Sequence, residues 1–102
     1  MNRQPTHPGA ILREDVLPEL DMSITKLAEE LHISRQQLHG ILNEKKSVTP
    51  NIALRLGKFI GNGPDIWLRM QEAYDLYNEE VRIRRDLQQI PHYEDSPHYR
   101  VV

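Results

Sequence analysis

Between Ser23 and Asn43 the chain reads SITKLAEELHISRQQLHGILN, two short amphipathic patterns separated by three residues. That spacing constrains the fold more than any other feature. The first pattern opens on Ser23, a residue whose hydroxyl oxygen can accept from the free N–H groups of a first helical turn. Ile24, Leu27, Ala28 and Leu31 then recur at intervals of three and four, one face of a helix, and leave Lys26, Glu29 and Glu30 outside it. After His32 and Ile33, Ser34 supplies a second cap, and Leu38, Ile41 and Leu42 form a second apolar stripe. The pattern predicts helices over about 24–31 and 35–42. Small Ala28 lets them cross closely, and Ile33 can plug the corner between them. Two helices joined so tightly have the layout of a helix-turn-helix.

The second helix keeps Arg35, Gln36, Gln37, His39 and Asn43 off its apolar stripe. Arginine matches the O6/N7 edge of guanine and glutamine the N6/N7 edge of adenine, so Arg35, Gln36 and Gln37 near the start of a protruding helix suit the major groove of double-stranded DNA. The alternative is a solvated helical hairpin whose polar face does nothing.

One hundred and two residues make one domain, and 38% apolar content makes a modest core that assembly into a homodimer would supplement. There is no cysteine, hence no disulfide framework and no thiol nucleophile. No apolar run is long enough for a membrane span, and no secretory segment is visible, so the cytoplasm is the expected compartment. The net charge of −2 looks wrong for a DNA partner, but the charge is uneven. From Lys26 to Lys58 the bases Lys26, Arg35, Lys45, Lys46, Arg55 and Lys58 outnumber Glu29, Glu30 and Glu44. From Asp65 to Asp95 acids outnumber arginines eight to four. Phosphate affinity follows local charge, so a basic face on an acidic remainder is compatible with nucleic acid.

Along the chain, Met1 to Thr6 reads as polar and loose. His7-Pro8 opens a first helix, with proline where its missing N–H costs nothing and Ile11, Leu12 and Val16 on the buried side, and Pro18 is expected to stop it. Thr49-Pro50 starts a fourth helix with Ile52, Ala53, Leu56 and Ile60 inside, closed by Gly61. Gly63-Pro64 opens the longest pattern, expected to run to about Gln89. Pro91 then ends regular structure. The reading is all-α: a compact domain of five helices over 7–90, with a long fifth helix and an extended tail over 91–102.

Three motifs give the chain its likeness to a known group: His7-Pro8-Gly9 with Ile11-Leu12; Leu27-Ala28 through Ile33-Ser34 to Leu38; and Thr49-Pro50 with Ala53-Arg55-Leu56, followed by Ile66-Trp67-Leu68, Met70-Gln71 and Tyr74-Asp75-Leu76. With these it resembles the phage-repressor-like (XRE) helix-turn-helix superfamily, and within it the HigA/VapI group of antitoxins. Two positions depart from the pattern. His32 stands where the superfamily usually has glycine at the turn, and Ala10 where many relatives carry an acid. The resemblance implies an antitoxin that binds and neutralises an mRNA-cleaving HigB/RelE-like toxin and, as a dimer, represses its own operon. It carries the recognition positions onto Ser34, Arg35, Gln36, Gln37 and His39. Gly40 falls where relatives often read a base and offers only close approach. Lys45, Lys46 and Ser47, with Thr25 and Lys26, become candidate phosphate contacts that position the protein without conveying sequence.

The long last helix carries apolar residues on more than one face, which suggests burial both against its own core and against a second copy. Trp67 and Met70 are assigned to the core, and Tyr74, Tyr77 and Val81 to a two-fold interface. A dimer would bring two readers to successive major grooves, one helical turn apart.

Catalysis finds no support. Ser34, His39 and Asp65 include the residue types of a hydrolytic triad, but Ser34 is better used as a cap and no nucleophile elbow surrounds it. There is neither an HExxH motif nor a phosphate-binding glycine loop. His92 and His98 are isolated in the tail, so no metal and no cofactor is expected. A stand-alone transcription regulator and a protein-interaction module that has lost its DNA remain as alternatives.

Overall fold

The computed structural model describes residues 3–97, and everything regular among them is helical. The chain starts with α1 (Pro8–Ile11), passes through a π turn (Leu12–Val16) and continues as α2 (Leu17–Leu20). These three segments form one entrance helix, and Pro18 does not stop it. Proline has no N–H to donate and its ring crowds the carbonyl four residues back. The Leu17 N–H bonds instead to the Leu12 carbonyl, five residues back, and that widened turn admits Pro18. Asp21, left-handed at φ 50°, ends the helix.

The reader pair follows as α3 (Ile24–Leu31) and α4 (Arg35–Leu42), then α5 (Pro50–Ile60) and the long α6 (Asp65–Arg82). The caps are those the residue types call for. Ser23 Oγ accepts from Lys26 N–H and Ser34 Oγ from Gln37 N–H, each at 3.0 Å, and Thr49 Oγ1 accepts from Ile52 N–H at 3.3 Å. The long helix expected to reach about Gln89 is α6, which ends at a bend around Ile83 (φ −108°, ψ 21°) before the chain resumes as α7 (Arg84–Gln88). Neither proline nor glycine stands at that bend, so the sequence carries no signal for it. In the tail, Tyr93–Asp95 forms one 3₁₀ turn, with His92 Nδ1 accepting from Glu94 N–H. His98 and the rest of the expected tail lie outside the described residues, as do Met1 and Asn2. The N-terminal segment is less loose than its composition suggests, since Gln4 donates to Asn78 Oδ1 on α6 at 2.8 Å.

The core consists of Leu12, the inner faces of α3, α4 and α5, Val48 from the loop after α4, and Trp67 from the first turn of α6. Met70 packs on its margin. No apolar side chain of α6 beyond Trp67 is fully buried. The molecule is accordingly long, 61 × 28 × 23 Å, with a radius of gyration of 18.5 Å against about 13 Å for a compact chain of this size. Its fully buried apolar core ends at Trp67, polar and ring contacts continue along α6 to Asn78, and the remainder of that helix projects.

Candidate nucleic-acid interface

The reading helix is held from behind. Leu38, Ile41 and Leu42 are buried, whereas Arg35, Gln36, His39 and Asn43 are exposed and Gln37 is half-buried. In a helix these four exposed positions fall on one side, so α4 presents a donor-rich strip with its back in the core. The entrance helix fixes its depth. Gly9 sits so close to α4 that a Cβ there would lie 1.8 Å from the Ile41 carbonyl oxygen, and a backbone contact of that kind requires glycine. Arg13 crosses from the same helix to donate to the Leu42 carbonyl at 2.5 Å, satisfying one of the free carbonyls at the end of α4. Its other contacts are the carboxylates of Glu14 and Glu44.

The turn between α3 and α4 contains His32 in the left-handed region, φ 58° and ψ 43°. A side chain there is disfavoured, and two contacts offset the cost. Ile33 N–H returns to the Ala28 carbonyl at 3.1 Å, as in a Schellman cap. Arg55 of α5 donates to the Leu31 carbonyl at 2.9 Å and to the His32 carbonyl, while its Nε donates to Asn51 Oδ1 at 2.7 Å. Arg55 therefore clamps the turn. The sequence counts it as one of six bases beside the reader, but its charge faces carbonyls of the protein.

The remaining expected residues divide into two groups. Ser34 and Gln37, at the start of α4, line one open notch of about 430 Å³ together with Lys46, Ser47 and Thr49, over Ile41 and Ile52. In the sequence Thr49 has a capping role and a place in the Thr49-Pro50 motif, and no role toward DNA. Lys45 stands beside the notch on the same exposed loop. Thr25 and Lys26 are exposed on α3, outside the notch, and Lys26 is ion-paired with Glu30 at 3.2 Å. Gly40 has a definite use. A Cβ there would meet Lys46 Cδ at 2.7 Å, so its absence lets the lysine stem lie across α4.

Behind this loop is a polar cluster. The Val48 N–H donates to Gln71 Oε1 at 2.8 Å, and Gln71 Nε2 donates to Asp75 Oδ1 at 3.0 Å. His7 Nδ1 accepts from Gly9 N–H at 2.8 Å, capping α1, and the buried ring lies beside the Lys46 backbone. The ring stands edge-on to Tyr74, centroids 4.9 Å apart. Burial pushes the His7 pKa below the ordinary imidazole value, opposed by the charges of Glu44 and Asp75 and by the Lys46 backbone. A neutral ring is also what the cap requires, since Nδ1 must keep a lone pair. Nearby, Trp67 Nε1 donates to Asn62 Oδ1 at 3.0 Å. The signature from Trp67 to Asp75 thus joins the long helix to the core and to the loop beside the reader.

Comparison with known proteins agrees with this architecture. The pattern of the family described as Helix-turn-helix matches residues 12–67. The HTH-type transcriptional regulator YbaQ of Escherichia coli strain K12 is 39% identical over 82 residues, which are 80% of this chain and 73% of YbaQ. Antitoxin GraA in complex with its operator superposes with a TM-score of 0.81 at 32% identity, over 90% of this chain and 93% of that one. The Pseudomonas aeruginosa antitoxin HigA, solved with the higBA promoter, gives a TM-score of 0.81 at 28% identity over 86% and 96%. These relatives are regulators and antitoxins, and the chain is not an enzyme. With the pattern matched over more than half its length and the fold shared almost end to end, the chain belongs to the helix-turn-helix family of the XRE, phage-repressor-like type and, within it, to the HigA/VapI group.

Proposed function

We propose that this protein is the antitoxin of a type II toxin–antitoxin module, binding operator DNA as a dimer to repress its own operon and neutralising a HigB/RelE-like mRNA-cleaving toxin. The observation that carries the DNA half is the exposed strip of α4 on a fully buried back, in a fold shared with antitoxins solved on operator or promoter DNA. In this reading Arg35, Gln36, Gln37, His39 and Asn43 face base edges, and Ser34, Thr25, Lys26, Lys45, Lys46 and Ser47 meet the backbone. Lys26 must then exchange Glu30 for a phosphate. Residues 7–90 form the working domain, 91–102 the tail, and the cytoplasm is its place of action.

The dimer reading rests on the outer half of α6. Val81 is exposed there and Tyr77 half-buried, in agreement with a partner surface that also takes Tyr74. Tyr74 already contacts His7, so it would bridge the core to the interface. Leu76, 65% exposed, joins these candidates on grounds of exposure.

For the toxin, a surface that handles RNA is basic, and Asp65, Glu72, Asp75, Glu79 and Glu80 with Glu14 and Asp15 offer a complementary field. That field is weaker than the count implies. Glu79 is paired with Arg82 at 2.7 Å, which also holds its carboxyl below the usual range, and Glu14 is paired with Arg13 at 2.6 Å. Co-expression tests this half: the product of the neighbouring gene should arrest growth alone, lose that effect with this protein, and co-purify with it. A harmless neighbour, or toxicity undiminished by abundant soluble protein, favours the second reading. That reading is a stand-alone regulator, to which the similarity to YbaQ speaks.

A further inference from the structure

The loop between α4 and α5 carries three of the proposed phosphate contacts, yet much of what holds it lies outside the helix-turn-helix. Locally, the N–H groups of Lys45 and Lys46 both donate to the Gly40 carbonyl at 2.9 Å. The other two ties are remote. Gln71, on α6, accepts from Val48 N–H at 2.8 Å, and His7, buried ahead of α1, lies beside the Lys46 backbone. The two ties bracket the segment Lys46–Val48 and so fix where the loop amines emerge. We propose that Gln71 and His7 are positioning residues for DNA binding, holding the Lys45–Ser47 loop in the attitude in which its amines reach the phosphate backbone. The proposal deepens the DNA reading above and rests on it.

Three observations support it. Gln71 is 5% and His7 2% exposed, so neither can touch DNA and each can act on binding only through what it holds. The Gln71 amide has its orientation set, because Nε2 is engaged by the Asp75 carboxylate and only Oε1 remains to accept from Val48. Lys46 is held at both ends of its residue, its backbone by the Gly40 carbonyl with the His7 ring beside it and its stem by the space over Gly40. A lysine already ordered in the free protein loses less freedom on meeting a phosphate, so removing a tie weakens binding even with the amine present.

The test uses the full chain and a labelled duplex from the region upstream of its own gene, titrated over a range of salt. Gln71→Met keeps the bulk and removes the acceptor; His7→Asn keeps a good cap for α1 but is too short for Lys46. Each should weaken binding about three- to tenfold and lower the salt slope by roughly one per protomer, as Lys46→Ala does. Added to Lys46→Ala, either change should have less effect than it has alone, because the main contact it positions is already gone. Should Gln71→Met fail to fold by circular dichroism, Asp75→Leu at an exposed position frees the same amide and is expected to act in the same direction. An unchanged slope, or effects that multiply in the double variants, overturns the proposal, since a merely structural loss would lower affinity without removing an ion contact selectively. If the unaltered chain binds no duplex, the DNA reading itself fails; if it binds and Lys46→Ala weakens it while Gln71→Met and His7→Asn do not, only the positioning role fails.

Discussion

The reading helix and the outer half of α6 are both exposed, but in opposite senses. On α4 the exposed side chains are Arg35, Gln36, His39 and Asn43, and every apolar residue of the helix is inside. On α6 and beyond, Leu76, Val81, Leu87 and Ile90 stand in water at 41–66% exposure while the core has already ended at Trp67. A polar strip is stable in solvent and exchanges water for base edges and phosphates. An apolar strip is unfavourable in solvent until something covers it. The comparison teaches that one protomer is a finished reader and an unfinished surface, and the variants that follow test the two halves of that statement.

The largest effect is expected at the reader. Replacing Arg35, Gln36 and Gln37 together by alanine should abolish preference for the cognate duplex over a scrambled one, each change contributing about 1–3 kcal/mol. Fluorescence anisotropy on both duplexes measures it, with circular dichroism to show that the helices survive. Wild-type preference in the folded triple variant would move the reader to another surface.

Next comes the support behind α4. Gly9→Ala forces a methyl group into the Ile41 carbonyl and should cost about 3 kcal/mol, read as a lower urea midpoint. A change below about 0.5 kcal/mol, the usual range for an uninvolved surface site, would mean that the entrance helix moves aside easily and does not set the depth of the reader.

Sharpening the other half needs charge on the projecting helix. Val81→Asp and Leu76→Asp should leave the fold of the protomer intact and give monomers by light scattering, because an unpaired carboxylate in an apolar contact is expensive to bury. Operator affinity should then fall about tenfold or more through loss of the second half-site. Dimers persisting in both variants would place the two-fold contact elsewhere.

The smallest effect expected is a pH dependence. His7 has its pKa lowered by burial, so the fold favours its neutral form. Its contribution to stability is complete above the unfolded value near 6.5 and is lost as pH falls below that toward the lowered value in the fold. Denaturant midpoints should therefore decline in mildly acidic solution, and His7→Asn should flatten that part of the profile while lowering the plateau. An unaltered profile in the variant would assign the acid sensitivity to other groups.

Much of this architecture was legible in the residues. Ser23, Ser34 and Thr49 are caps in the structure as their side chains suggest, and the stripes of α3, α4 and α5 are the core. Pro18 misled because the rule that proline ends a helix assumes regular α geometry, and a π turn relaxes the clash. Charge counting treats Arg55 and Lys26 as equally free, whereas Arg55 is engaged by carbonyls of the turn and Lys26 by Glu30, and a count does not say which cations are already engaged. Gln71 stands inside the motif from Ile66 to Leu76 with no role attached to it, and His7 is visible only as the first residue of the His7-Pro8-Gly9 motif and of a helix start.

What the sequence by itself determined is the pair of helices, their caps and the strip that α4 turns outward. Those features depend on neighbours three or four positions away, and such neighbours leave a period that can be read directly. Only the tertiary structure decided which polar groups remain available. Val48 meets Gln71 across 23 intervening steps of chain, and Arg55 reaches the turn from α5 across 24. Contacts of that range leave no periodic trace, because they are set by how helices cross. Crossing depends in turn on single close approaches such as Gly9 against Ile41, where the absence of one carbon atom determines how near two backbones can lie.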